Sequence, residues 1–279
     1  MRLELGRKPP LVPAGVPSLL GSIIHERTGV HFEDDRLDVL IEKLQPLVEE
    51  RQCGSFLDYY YLLKYEENGR EDWQRVMDAL AVPETYFWRE ESQIRATVDR
   101  IVPQWFARTA LPLRIWSAAS SSGEEPYSIV MALLEAGWGD HPIEVRASDA
   151  SPQALRRAKA GHYRENSFRA LPQSLKAKYF TAEPGGWKLA PQVIQRVTFT
   201  PANLLAADEI SELARCHIIF CRNVFIYFSS HGIRQTLATF ASRMPRGGHL
   251  FVGASESLLK LTTDFELREL DDAFVYIRI

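Results

Sequence analysis

The chain has 279 residues, 46% of them hydrophobic and 25% charged, with 33 Lys and Arg against 36 Asp and Glu for a formal charge of −3. That composition excludes long disorder, collagen and coiled coil, and the lack of a basic excess argues against a nucleic-acid binder. Cys53, Cys216 and Cys221 are three in number with no CxxC spacing, so neither a disulfide framework nor a zinc knuckle is expected, and a reducing cytoplasm fits.

The longest uncharged stretch, Pro9 to Ile24, is broken by Pro13 and Pro17 and falls short of the ~18 apolar residues of a membrane span. Arg7 and Lys8 resemble the basic end of a signal peptide, but no small-residue cleavage pattern follows. Residues 1–17 therefore read as a loose leader, without membrane insertion. Residues 18–82 read as helices only, within an N-terminal helical domain over 18–90. Leu19, Leu20, Ile23 and Ile24 make one short stripe, and Leu37, Leu40, Ile41, Leu44 and Val48 a longer one that Pro46 kinks or ends. Ser55 caps a third helix through Tyr59, Leu62 and Leu63, and a fourth runs from Asp72 through Trp73, Val76, Met77 and Leu80. This is an all-α N-terminal domain, joined by a connecting helix over 91–105 to the rest of the chain, 106–279.

From there apolar strands alternate with amphipathic helices, the pattern of a parallel sheet with crossovers. The expected strands are Leu113 to Ser117, Ile143 to Ala147, Val197 to Thr200, His217 to Cys221 and His249 to Gly253. Between them lie helices Tyr127 to Ala136, Pro152 to Ala160 and Ile233 to Met244. Phe265 to Ile279 reads as a closing hairpin with Phe274 and Tyr276 on one face, and Val275 and Ile277 on the other. Prolines and glycines over 163–195 mark an inserted subdomain.

Four segments carry chemistry. Arg114 to Ser128 runs from a strand through small residues into a helix, so its backbone amides can approach a ligand at a strand's carboxyl end. Equally, Ser122 and Glu125 have the spacing of a capping box. Glu124 and Glu125 at the helix start oppose a pyrophosphate and favour a cofactor with an ammonium and a sulfonium, S-adenosylmethionine. Neither GxGxxG nor a P-loop is present. Asp149 ends the next strand, where an acid either accepts ribose hydroxyls or caps the helix at Pro152. Cys216 to Phe228 turns abruptly from apolar to Arg222 and Asn223, with Tyr227 close behind as a cleft or core aromatic. Val82 to Glu90, aromatic beside Arg89, reads as a lid over a ligand or as glue between domains.

Together these segments resemble the CheR-type chemotaxis receptor (protein-glutamate) O-methyltransferases. TYFWRE (85–90), WSAASSSGEEPYS (116–128), ASD (147–149), ANL (202–204), FCRNVFIYF (220–228) and GASES (253–257) stand in that family's order and spacing. The resemblance implies an all-α N-terminal domain followed by an α/β, Rossmann-like S-adenosylmethionine-dependent methyltransferase sheet with a small inserted β-subdomain. It implies cofactor contacts from Thr85, Arg89, Glu125, Asp149, Asn203, Leu204, Asn223 and Val224: Glu125 to the amino group, Asp149 to the ribose, Asn203 to the adenine edge. Arg89 and Tyr227 are the implied catalytic residues at the transferring methyl, no metal is required, and S-adenosylhomocysteine is the product.

The sequence departs from the family at Pro83, where a side-chain amide contact is lost, and at Trp88, in place of Phe. The second helix, Glu42 to Arg51, is acidic where the family is Arg-rich. Glu183 to Trp187 lacks the Gly-Tyr-Gly-like turn that binds a receptor's tethering peptide, so no pentapeptide tether is expected. The expected reaction is attack of a substrate glutamate carboxylate on the sulfonium methyl, on a chemoreceptor-like protein. A carboxylate with an ordinary pKa near ~4.3 needs no strong base. The rival readings are a non-catalytic cofactor-binding or docking module, and a methyltransferase for another acceptor.

Overall fold

The computed structural model describes residues 9–66, 69–82 and 84–279, in two compact units, Met1–Ala81 and Val82–Ile279. The Arg7 and Lys8 reading and the Pro83 departure lie outside the described residues.

The first unit holds α1 (Val16–Thr28), α2 (Leu37–Glu50), α3 (Phe56–Tyr65) and α4 (Gly69–Leu80). Leu20, Ile24, Leu40, Leu44, Val48, Tyr59, Leu63, Trp73 and Val76 form its core, whereas Leu19, expected in the apolar stripe, is 44% exposed. Helix α2 does not end at Pro46 but continues to Glu50. Pro46 and Glu42, whose carbonyl loses its partner, both sit on the exposed face, so water satisfies the freed oxygen. Ser55 caps α3 as expected, in a capping box with Asp58. The leader is not loose throughout: α1 begins at Val16, and Leu11 makes a β-bridge to Ser55 through Leu11 N–H to Gly54 O (3.1 Å) and Phe56 N–H to Leu11 O (2.9 Å).

The second unit starts at Val82 rather than after Glu90, because Phe87 and Trp88 are buried in its core with Ile94, Tyr163 and Phe168. Then come α5 (Glu91–Ala96) and α6 (Val102–Phe106), joined by a π-helical turn over Thr97–Ile101 in which the Val102 N–H reaches the Thr97 carbonyl. The expected continuous helix is thus locally underwound just before Pro103, which has no N–H to offer. There follow β1 (Leu113–Ala118), α7 (Glu124–Glu135), β2 (Ile143–Asp149) and α8 (Pro152–Ala160). The inserted subdomain holds β3 (His162–Tyr163), α9 (Gln173–Tyr179), β4 (Phe180–Glu183) and β5 (Gly186–Leu189), a separate antiparallel sheet ordered β3-β5-β4. After it come α10 (Pro191–Ile194), β6 (Val197–Pro201), α11 (Ala207–Ile210), β7 (Ile218–Phe220), α12 (Ser230–Arg243), β8 (His249–Phe251), β9 (Phe265–Leu270) and β10 (Ala273–Arg278).

The large sheet is ordered β6-β2-β1-β7-β8-β10-β9, parallel except at the closing hairpin. Its strands are buried on both faces with a period of two: Ile218 and Phe220 enter the layer with α7, while Ile219 and Cys221 enter the layer with Leu237 and Phe240 of α12. Phe274 is 60% exposed, unlike Tyr276 on the same face, so that face is covered at Tyr276 and open at Phe274.

Candidate active site

The chain runs from β1 outward through β2 to β6, then returns to β7 and β8 on the other side of β1. That reversal opens a crevice at the carboxyl ends of β1 and β7, the general position of ligand sites in open α/β sheets. The crevice wall begins with the loop after β1. Ala119 (φ 56°) and Ser121 (φ 48°) are left-handed, held by Ser120 N–H to the Ser148 carbonyl (2.8 Å) and Ser121 N–H to Asp149 Oδ2 (2.8 Å). Gly123 (φ 93°) ends the loop where a Cβ would meet Ala158 and Tyr127 at 3.0 Å. Of the eight non-glycine residues with positive φ among the described residues, five border this crevice: Trp88, Glu90, Ala119, Ser121 and Asn223. Such conformations cost of order 1–3 kcal/mol each and gather at functional sites.

The two acids at the start of α7 have different fates. Glu124 is 2% exposed, turned inward onto Ser122 Oγ (2.8 Å) and Ser167 Oγ (3.1 Å), and burial holds its carboxyl above the ordinary range. The expectation that it faces a ligand is therefore corrected. Glu125 does border the crevice, and it is not in a capping box with Ser122. Its Oε1 accepts from Ser117 Oγ (2.6 Å) and its Oε2 from Arg222 Nε (2.7 Å).

Arg222, given no specific role in the sequence reading, anchors the floor. Its side chain is 2% exposed and pairs with Glu125, itself 11% exposed. Its NH1 donates to the Arg89 carbonyl (2.9 Å) and Gln93 Oε1 (3.2 Å), and lies 3.8 Å from Glu90 Oε2. Gln93 Nε2 in turn donates to the Val252 carbonyl at the end of β8 (2.9 Å). One guanidinium thus ties together the tips of β7 and β8, the start of α7, and the aromatic segment. A lone charged residue where an apolar strand ends is the sequence signal for it, but its partners lie up to 133 residues away.

Asp149 ends β2 half-buried, its Oδ2 holding Ser121 N–H and its Oδ1 holding Ser151 N–H (2.8 Å). The cap of α8 is Ser151, whose Oγ accepts from Ala154 N–H (3.0 Å), so Asp149 shapes the crevice wall rather than capping the helix. Past β6, Asn203 Oδ1 accepts from Leu205 N–H (3.1 Å) while Leu204 packs into the α12 layer. Asn223 (φ 58°) is left-handed, and its N–H donates to Glu256 Oε2 (2.8 Å), which also takes Gly253 N–H (2.6 Å). The second oxygen of Glu256 takes Ile226 N–H (3.3 Å). Glu256 thus orders both the Asn223–Tyr227 loop and the loop after β8, a role its place in the GASES motif did not reveal. A Cβ on Gly253 would stand 2.4 Å from Asn223 Nδ2.

Val224 and Tyr227 are half-buried on that loop. Arg89 NH1 donates to the Glu84 carbonyl (3.0 Å) and its guanidinium lies 5.4 Å from the Tyr86 ring centre. Thr85 is half-buried on the same segment, and none of the bonds above reaches its side chain. Arg89 and Glu125 thus meet at Arg222, Asp149 fixes the loop after β1, and Glu256 fixes the loop that carries Asn223 and Val224, with Asn203 and Leu204 following the neighbouring strand β6. Cys221 is fully buried, and burial pushes its thiol up, so it is a core residue. His217 and His249 stand at the amino ends of β7 and β8, the opposite edge of the sheet. Among the described residues no cluster of His, Cys, Asp and Glu could hold a metal ion, and no helix is long and apolar enough to cross a membrane.

Two protein-family descriptions match the chain: "CheR methyltransferase, all-alpha domain" over residues 18–81, and "CheR methyltransferase, SAM binding domain" over residues 83–274. The chain is similar to Chemotaxis protein methyltransferase 2 of Vibrio cholerae, 35% identical over 91% of this chain and 89% of that protein. Chemotaxis protein methyltransferase 1 of Pseudomonas aeruginosa is 31% identical over 91% of this chain and 94% of that protein. The Probable biofilm formation methyltransferase WspC of Pseudomonas aeruginosa is 35% identical over 77% of this chain and 52% of that protein.

Proposed function

The chain belongs to the CheR methyltransferase family, and on that premise we propose that it esterifies glutamate side-chain carboxylates of a chemoreceptor-like signalling protein. S-adenosylmethionine supplies the electrophile, a methyl group on a sulfonium. The residues present fit that cofactor. Glu90, Glu125, Asp149 and Glu256 set four carboxylates against the two guanidinium groups of Arg89 and Arg222, a negative surplus that favours an ammonium and a sulfonium. Ser120 Oγ is buried on the loop after β1 with no protein partner, a donor and acceptor left over for a ligand.

In this reading Glu125 receives the amino group and Asp149 the ribose hydroxyls. Each oxygen of Glu125 already accepts one protein donor and keeps a second lone pair, and the Asp149 carboxylate is fixed in place by the Ser121 and Ser151 amides. Asn203 meets the adenine edge, and Thr85, Leu204, Asn223 and Val224 line the same pocket. Arg89 orients the incoming carboxylate through its planar fork, and Tyr227 lines the path of the methyl. The bond formed is from carboxylate oxygen to methyl carbon and the bond broken is from that carbon to sulfur, so S-adenosylhomocysteine leaves as a neutral thioether and no proton is moved. Positioning alone contributes about 7 to 11 kcal/mol in such reactions.

The observation that carries this reading is the carboxylate-rich crevice at the switch point, with both sheet-end histidines on the far edge. The acidic face of α2, with Asp38, Glu42 and Glu49 exposed and Lys43 Nζ committed to the Ala79 carbonyl (3.3 Å), favours a second choice of substrate. That substrate is a signalling receptor outside chemotaxis, of the kind the name of the WspC relative suggests. Both choices are tested by incubating the protein with methyl-tritiated S-adenosylmethionine and purified receptor signalling domains. Label that mild base releases as methanol supports a glutamate ester; label that resists base overturns it.

A further inference from the structure

Glu90 is held in an unusual state. Its backbone is left-handed at φ 53°, a conformation that strains a non-glycine residue. Its Oε1 accepts from Ala254 N–H (3.3 Å) at the end of β8, but Oε2 is buried without a hydrogen bond. The neighbours that could supply one are committed elsewhere. Arg222 NH1, 3.8 Å away, donates to the Arg89 carbonyl and Gln93 Oε1, and Gln93 Nε2 donates to the Val252 carbonyl. A buried acceptor without a donor is costly, more so for a charged group. Two acids, Glu90 and Glu125, also share the one guanidinium of Arg222, whose side chain is 2% exposed. The missing partner is a donor from outside the protein, and two acids sharing one guanidinium favour a cationic one.

We propose that Glu90 is a further cofactor-binding residue, its Oε2 accepting a hydrogen bond from the α-ammonium of S-adenosylmethionine or S-adenosylhomocysteine. This rests on the cofactor site described above and adds a second acid to Glu125 at the amino-acid end. Of the cofactor's two cationic groups only the ammonium has hydrogens to donate, so the sulfonium does not fill this role. Charge and donor count thus select the same group.

Calorimetric titration of wild type and Glu90→Gln with S-adenosylhomocysteine and with 5′-methylthioadenosine, which lacks the amino-acid end, tests this. The expected result is a tenfold or greater loss of affinity for S-adenosylhomocysteine, with 5′-methylthioadenosine unchanged within twofold. Equal losses for both ligands, or no loss for either, overturn the role of Glu90 and leave the cofactor site standing. Failure of wild type to bind either ligand overturns the site and Glu90 with it. The glutamine keeps an acceptor for Ala254 N–H, so the melting temperature of the ligand-free protein is expected not to fall. Should that variant not fold, Glu90→Ala carries the same comparison.

Discussion

Replacing Arg222 with Met is expected to destabilise the second unit more than most single changes. The substitution preserves much of the volume but leaves Glu125 and Glu90, 11% and 18% exposed, without the guanidinium they share. It also strips the Arg89 carbonyl and Gln93 Oε1 of their donor. Removing one partner of a buried pair costs about 3–5 kcal/mol, and at about 2–4 °C per kcal/mol for a unit of this size the melting temperature falls by about 6–20 °C. Replacing the pair together, Arg222→Met with Glu125→Gln, removes the more buried of the two uncompensated charges and is expected to recover about half of that loss. Urea unfolding followed by tryptophan fluorescence reads it, since five of the six tryptophans, all but Trp73, belong to this unit. A single variant within about 1 kcal/mol of wild type, or a double variant no more stable than the single, would refute the reasoning.

Glu124 is raised by burial, so the folded state holds a proton that the unfolded state has released, and stability falls as pH rises above the ordinary carboxylate value. Glu124→Gln is expected to flatten that slope in chemical denaturation at pH 5 to 8; an unchanged slope contradicts the assignment. Burial pushes His249 down to about 4, so stability is complete above the ordinary value of ~6.5 and is lost between there and about 4, by about 3 kcal/mol at most. His249→Gln is expected to reduce this acid sensitivity, read as melting temperature against pH; His217, lowered by burial as well, and the lowered carboxyls of Glu135 and Glu165 contribute to the remainder. Gly253→Ala drives a methyl into Asn223 Nδ2 and Glu256 Oε2, at 2.4 and 2.9 Å. It is expected to weaken S-adenosylhomocysteine binding about tenfold in calorimetry, and full affinity would show that the Asn223 loop is not part of the site.

What the sequence made legible was local or periodic. The break from Ile218-Ile-Phe220 to Arg222 and Asn223 marks a strand tip because apolar and polar residues cannot share one buried run, and Ser55 announces a helix because its cap lies three residues away. What it hid was long-range. Ser122 and Glu125 have capping-box spacing, yet Glu125 turns to Arg222, 97 residues on, where a buried charge pair outweighs one capping bond. Pro46 reads as a helix end because spacing cannot say that it falls on the wet side. Glu256 stands in the sequence only as a letter of the GASES motif, and the fold brings it to the amides of Gly253, Asn223 and Ile226. Glu90 was visible merely as the last letter of a motif, because a missing hydrogen bond has no sequence signature.

A crystal structure of the protein with S-adenosylhomocysteine tests the central claim most directly. The account predicts the ligand at the carboxyl ends of β1 and β7, its ribose hydroxyls on Asp149 and its ammonium between Glu125 and Glu90. A ligand seated elsewhere on the sheet, or in this crevice with its amino-acid end turned away from both glutamates, would contradict it.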